Sequence, residues 1–224
     1  MNTIAKDTFV PAAGVHWLTP VYDPALALLM RERVWRPRFL RQVAPRPGER
    51  ILDLGCGTGT LTVMLHQACP DAEVIGLDID PQALGIARAK ADAAGAAISF
   101  LEGRADGAAN LPPALQRASL DKVVSCLLFH HLQRSQKVDA FSHANSLLRS
   151  GGTIHVADWG RPANPLMRQL FYPVQALDGF ATTSDNVQGR LPEFMRECGF
   201  ASVTETHREA TVFGTLSFYM GVKP

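Results

Sequence analysis

The stretch RILDLGCGTGTL, Arg50 to Leu61, constrains this chain more than any other: five residues with the character of a buried strand run straight into glycines at 55, 57 and 59. Glycine accepts the positive φ values that a tight turn demands. A strand, a glycine-rich turn and a helix in succession put backbone N–H groups at the rim of a sheet, where α/β proteins bind ligands. A plain structural turn, a phosphate cradle and a nucleoside seat would each use such glycines.

The spacing separates these readings. Gly55, Gly57 and Gly59 form G-x-G-x-G, whereas the dinucleotide fingerprint G-x-G-x-x-G would require glycine where Thr60 stands. A phosphate-binding P-loop would place a lysine after the glycines, but neither Lys nor Arg occurs between Ile51 and Leu65. Asp53 lies two residues before the first glycine, where an anionic pyrophosphate gains nothing and a cationic ligand does. Asp78 ends the next strand candidate, 25 residues after Asp53, near the ~20-residue interval at which an acid reaches ribose hydroxyls. A third acid, Asp106, follows the third strand candidate. Three carboxylates at successive strand ends suit a positively charged nucleoside without phosphates.

Around this loop the chain alternates short apolar runs with helical stretches, the pattern of parallel strands joined by crossover helices. The strands are expected at 50–54, 73–79, 97–102, 120–128 and 153–159. The intervening helices include 81–95, opened by Pro81, and 138–152, ending at Gly151. After a short helix, LPEFMRECG, the tail segments FASVTETHR and TVFGTLSFYMGVK are close enough to form an antiparallel edge pair. Residues 1–49 read as a mostly helical cap, broken near Pro37, on one domain spanning 1–224. Within 165–186, Met167, Leu170, Phe171, Val174, Leu177 and Phe180 form an apolar stripe interrupted at Pro173. It suits either core packing or a lid, over about 160–190, covering an apolar substrate.

Composition excludes several classes. With 22 basic and 21 acidic side chains the net charge is only +1, so no broad nucleic-acid footprint exists. No apolar run approaches the ~20 residues of a bilayer span, and the first twenty residues lack a signal-peptide core. Four widely spaced cysteines, Cys56, Cys69, Cys126 and Cys198, fit a reduced, cytoplasmic protein. The seven histidines show no H-E-x-x-H spacing, so no metal is expected. Cys56 reads as a small structural residue, and Cys126 as facing ligand or core. His155, inside a strand, should be buried and hydrogen-bonded.

Taken together these motifs resemble the Class I S-adenosylmethionine-dependent methyltransferases. ILDLGCGTGTL is similar to their first motif, LDKVVSCLLFHHL to the fourth-strand region and LLRSGGTIHVADW to the fifth. Tyr22-Asp23 and His130-His131 are similar to the ubiquinone/menaquinone-biosynthesis C-methyltransferases, although Asp106 and Leu111-Pro112 stand one residue further apart than is usual there. The resemblance implies a Rossmann-like seven-stranded, mostly parallel sheet with helices on both faces and an antiparallel C-terminal edge pair. It implies S-adenosylmethionine as cofactor, leaving as S-adenosylhomocysteine. The cofactor would be bound by Tyr22, Asp53, Gly55, Cys56, Gly57, Thr58, Gly59, Asp78, Ile79, Asp106, Gly107 and Cys126.

A sulfonium methyl is already activated, so holding the acceptor in line supplies much of the catalysis, about 7–11 kcal/mol. His130 is the first candidate for a base or orienting group, with Tyr22, Asp158 and Tyr172 behind it. His131, Asp158, Met167, Phe171 and Tyr172 are the expected substrate contacts. The sequence SCLL stands where enzymes methylating amide or adenine nitrogen carry [DNS]-P-P-[YF]. A small hydrophobic or aromatic acceptor, methylated on carbon or oxygen by a monomer or homodimer, is therefore expected. Aminopropyl transfer, a non-catalytic S-adenosylmethionine-binding module and a nicotinamide oxidoreductase are the alternatives.

Overall fold

The computed structural model describes residues 31–107 and 115–224. Helix α1 (Glu32–Val43) precedes β1 (Arg50–Leu54), α2 (Thr60–Ala68), β2 (Glu73–Asp78), α3 (Pro81–Ala93) and β3 (Ser99–Glu102). Strand β4 (Leu120–Cys126), a 3-10 turn (Phe129–His131), α4 (Arg134–Leu147) and β5 (Leu148–Trp159) follow. Three short helices, α5 (Pro165–Leu170), α6 (Tyr172–Asp178) and α7 (Phe180–Val187), lead to α8 (Leu191–Glu197) and to the hairpin of β6 (Ala201–Thr211) and β7 (Gly214–Val222).

The seven strands form one sheet in the order β3-β2-β1-β4-β5-β7-β6. The pairs among β1 to β5 are parallel, and β7 runs antiparallel to both of its neighbours. This is the expected Rossmann-like arrangement. The order reverses between β1 and β4, and it is at such a switch point, beyond the C-terminal ends of the strands, that open α/β sheets bind their ligands. Both strands are buried on two faces, which is why RILDL reads as continuously apolar rather than alternating. Leu52 and Leu54 join the core under α4 and α8, while Ile51 joins the opposite core with Trp35 and Phe39 of α1 and Leu61 and Leu65 of α2.

Four expectations about elements are corrected. Helix α1 continues through Pro37: Trp35, Phe39 and Val43, spaced one helical turn apart, are all buried, and that packing outweighs the ~3 kcal/mol penalty of an interior proline. The helix expected to end at Gly151 stops at Leu147, and β5 begins at Leu148. Lys223 Nζ donates at 2.7 Å to the carbonyls of Asn145 and Leu148, satisfying acceptors that the helix end leaves open. The strand expected over 120–128 ends at Cys126 because Leu127 turns at a φ of 55°. The apolar stripe of 165–186 forms three helices, broken at Phe171 and at Gly179 (φ 96°), with Pro173 sitting at the start of α6. Among the described residues no helix is long and apolar enough to cross a membrane.

Candidate active site

The glycine loop folds back onto the strand beside it. Gly55 and Cys56 N–H both donate to the carbonyl of Leu77, at 2.8 and 3.0 Å. Gly55, Gly57 and Gly59 have φ values of 72°, 52° and 73°. Gly59 has a second constraint: a β-carbon there would lie 2.7 Å from that of Ala87, so its absence lets α2 and α3 meet. Asp78 accepts from Gly57 N–H at 2.7 Å and from Asp80 N–H at 2.9 Å, so its carboxylate is anchored on the loop. Burial raises the pKa of Asp78 against the lowering effect of these bonds.

Asp53 lies beneath the loop, buried, with Oδ2 accepting from the Thr62 hydroxyl at 2.7 Å. Its Oδ1 has no hydrogen-bond partner among the described residues. Burial pushes its pKa up to about 6, against the lowering effect of Thr62 and of Arg36. Ile79, at the tip of β2, is 37% exposed, an apolar side chain presented at the rim. The loop is free of basic residues in sequence, yet the fold delivers one from α3: Lys90 Nζ donates to Thr58 Oγ1 at 3.0 Å and Thr60 Oγ1 at 2.9 Å. Cys56 is buried and Cys126 half-buried, and desolvation pushes both thiols far up, so neither is a nucleophile.

After β3, Asp106 pairs with Arg104 through two bonds of 3.0 and 2.6 Å. Gly107 (φ 69°) follows, and a β-carbon there would lie 3.0 Å from the His143 ring. The His143 Nδ1–H donates to Ala105 O at 2.9 Å, so α4 supports this loop from behind. Tyr22 and the Leu111-Pro112 pair lie outside the described residues.

The second half of the site is built on β4 and β5. His130 Nδ1 lies 2.8 Å from Asp158 Oδ1, both side chains buried. Asp158 also accepts from Phe129 N–H at 2.7 Å, Trp159 N–H at 2.7 Å and Asn186 Nδ2 at 3.2 Å. This carboxylate is therefore fixed by backbone and lid together, and it sets the Nδ1–H tautomer that leaves Nε2 of His130 as the free basic nitrogen. Nε2 looks toward Asp178 Oδ2, 3.7 Å away. Burial raises the pKa of Asp178 against the lowering effect of His130. His131 packs against His130 with ring centroids 3.9 Å apart and the planes tilted by 42°, and desolvation holds its pKa well below the ordinary histidine value.

The lid residues divide. Phe171 packs against Trp159 at 5.2 Å between ring centroids, and Met167 is buried beside it. These two are the buried apolar residues of the segment, Met167 9% and Phe171 3% exposed. Tyr172, under the Arg168 guanidinium at 4.0 Å, is exposed, as are Leu177 (77%) and Phe180 (54%). The segment is tied to the body through Asp185, whose carboxylate takes Arg134 at 2.5 Å and lies 3.6 Å from the buried Lys137. Asp178, Asn186 and Asp185 went unnoticed in the sequence because they sit in no motif. The only hint was that a stripe supposed to be apolar carries acids.

The comparisons agree with the fold. Residues 51–152 match the methyltransferase domain family. The chain is 30% identical to a demethylmenaquinone methyltransferase of Thermus thermophilus, with 92% of this chain and 98% of that protein aligned. It is likewise 30% identical to the ubiquinone/menaquinone biosynthesis C-methyltransferase UbiE of Syntrophotalea carbinolica, over 92% of this chain and 91% of that one. Among solved structures, a Haemonchus contortus phosphoethanolamine N-methyltransferase bound to S-adenosylhomocysteine superposes with a TM-score of 0.67 at 15% identity, covering 85% of this chain and 52% of that one. The apo methyltransferase SibL superposes at 0.68 and 22% identity, covering 95% and 60%.

Proposed function

The chain belongs to the S-adenosylmethionine-dependent methyltransferases that act on small molecules, of the quinone-biosynthesis type, and we propose that its acceptor is a hydrophobic or aromatic metabolite methylated on carbon or oxygen. The observation that carries this reading is His130, held by Asp158 with Nε2 free, beneath a lid whose open surface is Tyr172, Leu177 and Phe180.

The residues present fit the cofactor. The buried, unpartnered Oδ1 of Asp53 supplies negative charge beneath the loop, and the Asp78 carboxylate, anchored by two backbone N–H groups, retains lone pairs for vicinal hydroxyls. Gly55 to Gly59 would lie against the amino-acid part of the cofactor, Ile79 against its purine, and Asp106 with Gly107 near the exocyclic amine. Asp106 would have to share its carboxylate with Arg104 to do so. When bound, S-adenosylmethionine supplies an activated methyl group and departs as a neutral thioether.

His130 is the group that either orients the acceptor or takes its proton. For an acceptor with a ring hydroxyl, Nε2 takes the hydroxyl proton and the ring becomes electron-rich at oxygen and at the adjacent carbon. The imidazolium so formed is stabilised by Asp158, already in contact, so little reorganisation is needed at that moment. His131, held neutral by its surroundings, shapes the wall and does not compete for the proton. The printed name of the Syntrophotalea carbinolica relative, a C-methyltransferase, favours carbon over oxygen. The transfer itself needs no metal. The four free cysteines support a reducing, cytoplasmic setting, in which the enzyme would work as a monomer or homodimer, with no nucleic acid as partner.

Incubation with methyl-labelled S-adenosylmethionine and a set of hydroquinones, phenols and a metabolite extract, followed by mass spectrometry, tests the proposal. Label should appear on an apolar aromatic product. Labelling confined to polar amines would reject the acceptor class, and an added aminopropyl mass would reject methyl transfer.

A further inference from the structure

His130, His131 and Asp178 each offer a ligand atom, and the three atoms lie within 4.8 Å of one another. Two come from the turn after β4 and the third from the end of α6, so no local spacing announces the set. A tetrahedral zinc ion, with bonds of about 2.0–2.2 Å to nitrogen and oxygen, holds neighbouring ligand atoms roughly 3.4 Å apart. His130 Nε2 and Asp178 Oδ2, at 3.7 Å, are within a few tenths of an ångström of that separation. His131 completes the set by a side-chain rotation. Behind it stands the support that metal-binding imidazoles use: Asp158 accepts from Nδ1 at 2.8 Å, fixing the ring and directing Nε2 forward.

Charge favours a cation at this point. Two carboxylates, Asp158 and Asp178, face one imidazole from opposite sides. Arg134 and Arg190 turn to Asp185 at 2.5 and 3.5 Å, and the buried Lys137, which donates to Thr182 O, lies 3.6 Å from Asp185 and also interacts with Asp158. A divalent ion on two neutral imidazoles would balance the two carboxylates.

We propose that His130, His131 and Asp178 bind one divalent transition-metal ion of the zinc type, which clasps α6 to the 3-10 turn and withdraws His130 Nε2 from the acceptor. The ion is thus an inhibitor of the methyl transfer, not a participant in it. Binding forms two N–metal bonds and one O–metal bond and releases any proton held at Nε2.

Titration of the metal-stripped, full-length protein with Co2+, read by the visible absorption of a tetrahedral site, together with calorimetry of Zn2+ binding, tests this without any acceptor. One equivalent of each ion should bind, with affinity at least roughly 10-fold weaker in Asp178→Asn and in His131→Gln. Neither substitution touches the Asp158–His130 bond, and unchanged binding of S-adenosylhomocysteine shows that each variant is folded. A missing cobalt band together with no zinc heat at millimolar ion overturns the proposal, as does undiminished affinity in either variant. Because both readouts omit the acceptor, they stand or fall separately from the methyl-transfer reading. Where turnover is measurable, Zn2+ should inhibit the parent protein and lose most of its potency against Asp178→Asn.

Discussion

Asp158 and His130, 28 residues apart in sequence, meet at 2.8 Å in the buried wall between β4 and β5. The pairing does two things at once. It orients the His130 imidazole, and it satisfies the N–H groups of Phe129 and Trp159 at the same carboxylate. Asp158→Asn should therefore lower turnover by about 10²–10⁴-fold, the usual worth of general acid–base catalysis, while leaving S-adenosylhomocysteine affinity within about two-fold, because only the acceptor half of the site is altered. Steady-state kinetics beside calorimetry checks the split. Equal losses in both would mean that Asp158 holds the fold rather than the imidazole.

Asp78 is predicted to carry cofactor affinity. Asp78→Ala removes the carboxylate proposed to hold the ribose and also strands the N–H of Gly57, so the thermal shift produced by S-adenosylhomocysteine should shrink to a small fraction of the parent value. Differential scanning fluorimetry with and without the compound is the measurement, and a full shift in the variant would take Asp78 out of the site.

Gly59 is a packing constraint. Alanine there must adopt a φ of 73° and place its β-carbon against Ala87. The left-handed conformation costs about 1–2 kcal/mol and the overlap about 1–3 kcal/mol. Urea unfolding of Gly59→Ala should show a loss of roughly 2–5 kcal/mol on these two effects. Gly57, with open space around it, should lose only the first.

Two buried groups should give opposite pH dependences. Asp53 in the folded protein titrates near 6 rather than 3.8, so between those values the native state binds more protons than the unfolded chain and stability falls as pH rises. His155 titrates near 4 rather than 6.5, so over that window the unfolded chain binds more protons and stability rises with pH. Each amounts to roughly 3 kcal/mol at 1.36 kcal/mol per unit, and the two largely offset between pH 4 and 6. Asp53→Asn should therefore expose a stability that drops on acidification from pH 6.5 to 4, relative to the parent. Unfolding free energies across this range decide the matter, and parallel curves for parent and variant would refute it.

The open lid surface should matter for the acceptor and not for the fold. Leu177 and Phe180 are largely exposed, so Leu177→Ser and Phe180→Ser should change stability by no more than about 0.5 kcal/mol. They should raise KM for an apolar acceptor about 10-fold, at 1.4 kcal/mol per decade, with kcat little affected. An unchanged KM would leave the lid without a substrate role.

Much of the glycine loop and of the acids beside it is legible because local chemistry dictates it. Gly55, Gly57 and Gly59 need positive φ, and Asp53 and Asp78 sit at strand ends where a parallel sheet exposes its rim. The order of apolar runs and helical stretches likewise announced the sheet and its antiparallel edge. His155 was legible too: an imidazole inside a buried strand must find partners, and it does, accepting from Gln42 at 3.3 Å and donating to Thr153 at 3.0 Å. The failures are equally physical. Pro37 reads as a break because propensity is local, whereas burial of Trp35 and Phe39 is not. Helix α4 stops short of Gly151 because Lys223, at the far end of the chain, reaches its last carbonyls.

Thus the sequence by itself determined the sheet, the glycine loop and the acids at its rim, since backbone conformation and strand periodicity depend on near neighbours. Only the tertiary structure decided how His130 is held. Its partners, Asp158 and Asp178, lie on a later strand and in a segment without motif, and it is their distance from the ring, not their identity, that orients the buried imidazole. The same is true of Met167 and Phe171, which share the hydrophobic pattern of Leu177 and Phe180 yet are buried. Periodicity records that a side chain is apolar, and only packing determines what covers it.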